Sequence, residues 1–408
     1  MPRRWTTGLL LGASLALLMT AAPAAAAEPE PELRVFVLTM GPGEHPFFKF
    51  GHNAVVVQAA GRPAVAYNWG TFDFESPSLI ADFLRGRLTY WLSSMGATET
   101  IREYQLTNRR VELQELDLSL EQKRALAARL ADNARPEKRN YLYDYFWDNC
   151  STRVRDAVDA ATEGRLKAAM QGPARLTYRH HALRLTSDLL WEYLGLHFGL
   201  GRPTDLPATR WQEGFIPQVL HDQLKEIRMP GPGGEHPLVL QERVLVTSTR
   251  PDPPAQAPRW IHWFALVGLL AGGALAALGR LGVWRTAPRA LFGVVVGLLG
   301  LVCGLLGCAL IFLWAFTNHV SAHANANLLP CPPFLLALFP LAVGLVRGRM
   351  VSAQSTFYLA TGAALLALVG LVVKALPGPA QDNVAFIALF LPLWAGIAYG
   401  ARSLAAGR

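Results

Sequence analysis

The sequence predicts an α+β exported domain, with a small antiparallel sheet and one helix that begins at a cysteine. An all-α membrane domain of about five transmembrane helices is predicted to follow. Before residue 229, short strands rich in β-branched and aromatic residues alternate with amphipathic helices. After Trp260 the only acidic residue is Asp382, and five long apolar runs succeed one another. With 51% hydrophobic residues, the 408-residue chain is too apolar for an ordinary soluble protein.

The first 27 residues have the pattern of a secretory signal. Arg3 and Arg4 precede an apolar run over 9–19, and small residues at 25–27 suit cleavage by a signal peptidase. An uncleaved anchor helix is the alternative, because the alanine-rich end extends the apolar run. In either case we expect the residues that follow to be exported.

Residues 28–228 are predicted to form the exported domain. Its strands are recognised by β-branched and aromatic residues, and its helices by apolar spacing and by caps such as Ser119 with Gln122. The predicted strands span 34–40, 53–58, 64–68, 88–91 and 110–116. The predicted helices span 77–87, 118–133 and 183–198, with one more that starts at residue 150.

Residues 229–258 are rich in proline and predict a linker around one strand-like piece at 238–246. Residues 259–408 then predict the membrane domain, with spans near 261–278, 290–316, 328–346, 357–373 and 384–401. Pro330, Pro332 and Pro333 interrupt the third span. Arginines concentrate in the first and third connections and at the C-terminus. The positive-inside rule therefore puts the second and fourth connections outside.

The formal net charge of +8 does not indicate nucleic-acid binding. Residues 28–250 carry nearly equal numbers of basic and acidic side chains, so the exported domain is close to neutral. The excess of positive charge lies at the N-terminus and in short membrane loops, where topology explains it. No nucleic-acid partner is therefore expected.

Cys150 is the only cysteine before the membrane half, and its position indicates a reactive thiol. Asn149, Ser151 and Thr152 are residues that start helices, and Val154 and Val158 begin an apolar helical face. The free amides and the dipole at a helix N-terminus favour a thiolate, which is the nucleophilic form. We therefore expect Cys150 to be a nucleophile. A buried structural thiol is the alternative.

His52 is the candidate base for this thiol, because it lies at the mouth of a predicted strand and follows a glycine. A third group would orient the imidazole, and Asn68 on the next strand is preferred over Asp73 in the turn after it. The structural alternative for both is turn chemistry. The spacing of Cys and His does not match a zinc site, so neither a metal nor another cofactor is expected.

Several segments resemble the Lnb family of bacterial membrane enzymes, which make lyso-form lipoproteins. The resemblance rests on FGHN, YNWGTFD and YDYFWDNCSTR in the exported half, and on NHVSAHANANLL and QDN in the membrane half. It implies a papain-like fold in permuted order, with the histidine strand before the cysteine helix. Further candidate orienting or substrate-binding residues are Asp73, Asn149, Arg153, His319, His323, Asn325 and Asn327.

The resemblance implies acyl transfer in which Cys150 attacks an ester of a lipoprotein's diacylglyceryl group and forms a thioester. The amine of the lipoprotein's N-terminal cysteine would then take the acyl chain, with His52 as base. Diacylated lipoproteins or membrane lipids would be the partners. The chain would be a multi-pass protein of the bacterial inner (cytoplasmic) membrane, with its catalytic domain on the periplasmic or extracellular side.

Two other functions remain open at this point. A papain-like domain of the NlpC type would use the same dyad as a cell-wall peptidase or amidase. A non-enzymatic membrane sensor would bind a ligand and would not need Cys150. The outer loop residues likewise have two candidate roles, because they either line the substrate site or hold the catalytic domain against the membrane.

Overall fold

The structure is a computed structural model that describes residues 33–73, 75–231 and 233–407. The signal expected at residues 1–27 lies outside the described residues. The exported domain is α+β and the C-terminal region is helical, as predicted. The chain therefore combines an α+β domain with a helical membrane half, and the site described below lies at the contact between them.

One antiparallel sheet of seven strands organises the exported domain, in the order β6-β4-β3-β2-β1-β5-β9. A separate hairpin joins two further strands. In chain order the strands are β1 (Leu33–Met40), β2 (His52–Ala59), β3 (Val65–Thr71), β4 (Thr89–Gly96), β5 (Val111–Leu116), β6 (Asn140–Leu142), β7 (Arg228–Gly231), β8 (Gly234–Pro237) and β9 (Val239–Val246). The five strands predicted from sequence all occur, with shifted ends.

The predicted linker at 229–258 needs correction, because its middle belongs to the sheet. Strand β9 pairs antiparallel with β5, from Leu116 opposite Val239 to Val111 opposite Val246. Its apolar and polar residues suit an edge strand, whose backbone groups are satisfied on one side by β5. The many prolines on either side hid this pairing. The sheet of the exported domain therefore ends at Val246, and the boundary predicted at residue 228 is too early.

Nine helices of the described residues belong to the exported domain. They are α1 (Leu79–Arg85), α2 (Ala97–Leu106), α3 (Leu120–Asn133), α4 (Cys150–Ala161), α5 (Arg165–Ala169), α6 (Tyr178–Leu185), α7 (Leu190–Gly199), α8 (Arg210–Glu213) and α9 (Pro217–Leu224). The capping box of Ser119 and Gln122 forms as predicted. Helix α2 was not predicted, and the single helix expected over 183–198 is two helices.

The core of the exported domain lies between the sheet and helix α4. Val154 and Val158 of α4 are fully buried, as are Val35, Val37 and Val55 on the facing side of β1 and β2. Burying each such side chain contributes about 1.5–3 kcal/mol. This packing fixes α4 across the strands, and it therefore fixes the position of the cysteine at the start of the helix.

The membrane half contains five segments that are long and apolar enough to cross a bilayer. Its helices are α10 (Ile261–Leu281), α11 (Thr286–Phe316), α12 (Leu338–Val346), α13 (Met350–Val373) and α14 (Val384–Ala406). The third span, Ala326–Val346, begins with 3-10 turns before α12. Its prolines lack the N–H that a continuous α-helix needs. Glycines allow α10 and α14 to approach closely, as between Gly279 and Gly400.

The second and fourth connections of the membrane half contact the exported domain, so they lie on its side of the membrane helices. The side-chain amide of Asn325 donates to the carbonyl oxygens of Phe198, Gly199 and Leu200 at 2.9–3.1 Å. Gln381 donates to the Leu200 carbonyl oxygen as well, at 3.2 Å. These carbonyls lie at the end of helix α7, where backbone oxygens have no partner within the helix. Arg179 of the exported domain also donates to the Leu200 carbonyl oxygen, at 2.8 Å. The membrane half therefore caps a helix of the exported domain.

Candidate functional site

Cys150 is the first residue of α4, and Asn149 holds this helix start in place. The Asn149 side chain accepts from the Thr152 N–H at 2.9 Å, and the Thr152 hydroxyl accepts from the Asn149 N–H at 2.8 Å. The Asn149 amide also donates to the carbonyl oxygens of Tyr145 and Phe215, at 2.9 and 3.0 Å. Asn149 therefore caps the helix and ties it to the neighbouring loops, which fixes the thiol.

The fold brings His52 and Cys150 to the same place, although 97 residues separate them in the chain. Gly70 lies between their side chains: a Cβ built on it would be 3.5 Å from His52 Cε1 and 3.7 Å from Cys150 Cβ. Strand β2 pairs with β3, with Val55 opposite Tyr67. His52 and Gly70 each lie three residues from that pair, at the same end of the two strands. Helix α4 packs across both strands. The glycine thus leaves open the space that both side chains face.

Of the two candidates for orienting the imidazole, the structure places Asn68 beside His52 and Asp73 elsewhere. Asn68 is buried on β3 and hydrogen-bonds to the His52 side chain, which raises the pKa of the imidazole. Asp73 is exposed, and its carboxylate accepts from the Glu75 N–H at 2.8 Å. A side-chain oxygen that accepts from the backbone two residues on is typical of a turn, which is the structural role considered above for Asp73.

The surroundings of His52 keep its imidazole neutral. Burial lowers its pKa to about 3, the positive charge of Arg109 adds to that effect, and Asn68 opposes it. The ring borders the cavity that also contains Cys150. At neutral pH the imidazole therefore has a free lone pair and is able to accept a proton.

The Cys150 thiol is protonated at rest, contrary to the thiolate expected from the helix start. Burial raises its pKa, while the N–H groups of Asn53 and Ser151 and the charge of Arg109 lower it. The side chain is only 7% exposed, so the cost of burying a charge outweighs the helix N-terminus. The pair at rest is thus a thiol beside a neutral imidazole, and the thiol loses its proton during attack.

Arg109 is a residue of the site that the sequence did not reveal. It is 4% exposed, its Nε donates to the Gly41 carbonyl oxygen at 2.8 Å, and its guanidinium lies 4.5 Å from the centre of the Tyr104 ring. One of its terminal nitrogens, Nη2, is buried without a hydrogen-bond partner. Arg109 is one of two successive arginines before β5, and nothing in the local pattern distinguished it from the other.

Cys150 opens into a cavity of about 720 Å³ at the junction of the two halves. Many of its walls are aromatic, including Tyr90, Tyr104, Tyr143 and Tyr145, and His52, Asn68 and Arg109 form its polar part. The membrane half contributes Leu313, His319, Ser321 and Ala322. The volume lies within the usual range for small-molecule sites. The cavity is thus largely apolar and has room for an apolar ligand beside the thiol.

The other predicted site residues have different positions. His319 lines the cavity, and its Nε2 lies 2.7 Å from the Phe83 carbonyl oxygen. His323 Nε2 lies 3.3 Å from the Thr317 carbonyl oxygen, outside the cavity lining. Asn325 and Asn327 bind the end of α7, so they fit the docking role considered for this loop. Arg153 pairs with Asp148 and stacks on Tyr141, so it braces the segment before α4.

One group of potential metal ligands occurs in the described residues, away from the cavity lining. Glu112, His221 and Glu242 offer ligand atoms within 4.8 Å of one another. Arg110 already pairs with Glu112 at 2.6 Å, and Lys225 lies 3.5 Å from Glu242. Because these cations balance the carboxylates, we interpret the group as an ion-pair network between β5, β9 and α9.

Comparisons with known proteins cover both halves of the chain. The family model for the Lnb N-terminal periplasmic domain matches residues 26–183, and the one for the Lnb transmembrane domain matches residues 265–403. The first match includes His52, Asn68 and Cys150. No curated protein and no solved structure matched the chain. Together the two matches account for most of its length.

Proposed function

Because the chain belongs to the Lnb family, as a multi-pass membrane protein with a periplasmic domain, we propose that it is a thiol acyltransferase of the inner membrane. It moves an acyl chain from the diacylglyceryl group of a lipoprotein to the amine of that lipoprotein's N-terminal cysteine. Cys150 is the nucleophile, His52 the base and Asn68 the residue that orients the base.

The observation that carries this proposal is the junction at which Cys150 and His52 meet. Their cavity is walled by strands of the exported domain and by Leu313 at the outer end of a membrane span. A peptidase that acts on soluble peptides has no need for a wall of this kind. An ester that lies near the surface of the bilayer reaches the thiol directly, so the location favours a lipid substrate.

The first half of the reaction forms a thioester. His52 takes the proton from Cys150 Sγ while the sulfur attacks the carbonyl carbon of the lipid ester. The C–O bond to glycerol then breaks, and His52 gives its proton to the departing glycerol oxygen. In the resting state the proton is on the sulfur and the imidazole is neutral, so the proton is transferred as the sulfur attacks.

The second half passes the acyl chain to nitrogen. The amine attacks the thioester carbonyl, His52 accepts the amine proton, and the C–S bond breaks. The departing sulfur regains a proton from the imidazolium, which restores the resting pair. In both halves, the N–H of Cys150 at the start of α4 donates to the oxyanion of the tetrahedral intermediate. Aromatic walls exclude water, which would otherwise hydrolyse the thioester.

The test expresses the wild type, Cys150→Ala and Cys308→Ala in cells whose lipoproteins are diacylated. Cys308 is a free cysteine of the membrane half and provides the matched control. Mass spectrometry of the N-terminal lipopeptides should show an N-acylated lyso form in the wild type and the control. The Cys150→Ala strain should retain the diacyl form. Equal expression of the three proteins is checked by immunoblot.

Each alternative outcome has a distinct meaning. An N-acylated product that keeps both ester chains would assign the donor to a phospholipid and would contradict intramolecular transfer. Unchanged lipopeptides together with altered cell-wall fragments would favour an NlpC-type peptidase or amidase. If an effect of expressing the protein on the cells persists in Cys150→Ala, the protein would be a sensor without catalysis.

A further inference from the structure

Helix α1 of the exported domain exposes apolar side chains and buries none of its residues. Ile80 is 74% exposed, Leu84 is 50% exposed and Phe83 is 39% exposed. Three such residues on a helix of two turns form a continuous apolar face. Surfaces of this kind on a folded domain indicate a contact that the isolated chain does not show.

Helix α1 is fixed to the outer end of a membrane span. The Asn318 N–H donates to the Arg85 carbonyl oxygen at 2.8 Å, and the His319 ring lies 6.1 Å from the Phe83 ring. Gly86, at φ 67°, ends the helix against the backbone of Asn318 and His319. Asn318 follows α11 by only two residues. The helix therefore lies at the level where α11 leaves the bilayer.

The length of α11 sets this level. Its 31 residues extend about 46 Å at 1.5 Å per residue. The hydrocarbon core is about 30 Å thick, and the bilayer with its headgroups about 40–45 Å. The last turn of α11 therefore reaches the headgroup region. Phe316 in that turn is 71% exposed, so the lipid-facing surface of α11 continues to the position of α1.

We propose that α1 lies in the outer leaflet of the bilayer and forms, with the end of α11, a lateral portal through which a lipid acyl chain reaches Cys150. In-plane helices bury an apolar face at the boundary of headgroups and acyl chains. Phe83 and Leu84 also line the Cys150 cavity, as does Leu313 of α11. The same side chains thus face the bilayer and the interior of the cavity.

The position of α1 does not depend on the reaction, whereas the passage of a substrate chain rests on the proposed function. The occupant of the apolar face is the bilayer, because the face continues the surface of a membrane span. A protein partner on α1 is the competing occupant. It would keep the helix out of the lipid, so the first experiment distinguishes the two.

The first experiment measures the depth of α1 in proteoliposomes of phosphatidylethanolamine and phosphatidylglycerol. A nitroxide is attached at Ile80→Cys in the full chain, with the four native cysteines replaced by alanine. Leu240→Cys on the edge strand β9 is the aqueous control, at 59% exposure, and Val369→Cys in α13 is the membrane control. We expect the Ile80 label to be relaxed by oxygen more than by a soluble nickel chelate, as at Val369.

The second experiment measures access to the thiol without acyl transfer. Cys150 is alkylated with a maleimide on a long alkyl chain or with a small water-soluble maleimide, and the product is quantified by mass spectrometry. Leu84→Asp should slow the alkyl reagent about tenfold and leave the small reagent unchanged. Leu240→Asp should change neither rate. An unchanged small-reagent rate also shows that the fold of Leu84→Asp is intact.

The outcomes separate this proposal from the proposed function. An Ile80 label with the nickel accessibility of Leu240 would overturn the placement of α1, whether or not the protein transfers acyl chains. If the Ile80 label lies in the bilayer but Leu84→Asp does not slow the alkyl maleimide, the portal would be overturned. Success in both experiments with unchanged lipopeptides in cells would retain the portal and reject the acyl transfer.

Discussion

Asn325 in the membrane half donates its side-chain amide to the carbonyl oxygen of Leu200 in the exported domain, at a distance of 3.1 Å. Gln381 donates to the same oxygen at 3.2 Å and to Asn325 Oδ1 at 3.0 Å. The end of α7 therefore receives hydrogen bonds from two different membrane connections, in addition to those that Arg179 of the exported domain donates. Neither domain completes this arrangement without the other.

Asn325→Ala should destabilise the junction of the two domains. The carbonyl oxygens of Phe198 and Leu200 keep Asn327 and Arg179 as donors. The Gly199 carbonyl oxygen loses the donor that the structure gives it, at a cost of about 1–3 kcal/mol. The free energy of unfolding, measured with denaturant in detergent, should fall by that amount. Asn318→Ala is the control, since this exposed neighbour binds Arg85 only through its backbone. Equal stability of the two variants would contradict the docking role.

The pH dependence of the first, thioester-forming half of the reaction should lack the acidic limb of an ordinary histidine. Protonation of His52 removes the base, and its pKa of about 3 keeps it neutral well below its usual value of 6.5. The rate of thioester formation from an amine-blocked ester lipopeptide should stay level from about pH 7 to 5, because this step needs no free amine. Loss of activity with a midpoint near 6.5 would contradict the buried environment of His52.

Asn68→Asp should move the acidic limb to higher pH. A carboxylate next to the imidazole stabilises the imidazolium, so the pKa of His52 rises. The rate of thioester formation should then decline as pH falls toward 5, where the rate of the wild type is still level. Asp73→Asn is the matched control, because Asp73 is exposed in a turn, and its profile should equal that of the wild type.

Arg109→Gln should raise the pKa of Cys150 further above the ordinary value of 9.0, because the guanidinium charge normally lowers it. Iodoacetamide reacts with the thiolate, so the midpoint of the alkylation rate against pH should move upward. Arg110→Gln provides the control, since Arg110 pairs with Glu112. A shift of equal size in both variants would mean that general charge, and not the position of Arg109, is responsible.

Gly70→Ala should reduce acyl transfer roughly a hundredfold, as expected for a small displacement of reacting groups. Gly70 has φ 106°, which strains any residue with a side chain, and it lies between His52 and Cys150. Gly61→Ala introduces a similar strain at φ 72° in a turn with open space around it. Its activity should remain near that of the wild type, and circular dichroism should show both variants folded.

The sequence predicted those features that depend on local pattern. The strand that begins at His52, the cap at Asn149 and the five apolar spans each have a signal within a few residues, and the structure confirms them. The choice of Asn68 over Asp73 was narrow, because it depends on how β2 pairs with β3. The register of that pairing favours Asn68.

The features that were missed depend on distant contacts. Strand β9 belongs to the sheet because β5 leaves a free edge, and its proline-rich flanks suggested a linker. The thiolate expectation was wrong because burial, which no local pattern reports, outweighs the helix N-terminus. Arg109 entered the site for the same kind of reason, since its burial depends on Gly41 and Tyr104 from other elements.

The place of β9 in the sheet links folding of the exported domain to insertion of its anchor. The strand ends at Val246, and α10 begins at Ile261. During synthesis, β9 appears last among the strands of the sheet, only 14 residues before the first membrane span. The edge of β5 stays unpaired until then, with backbone groups that attract other strands. A soluble form of this domain should therefore extend through Val246, because a chain that stops at residue 228 would expose that edge permanently.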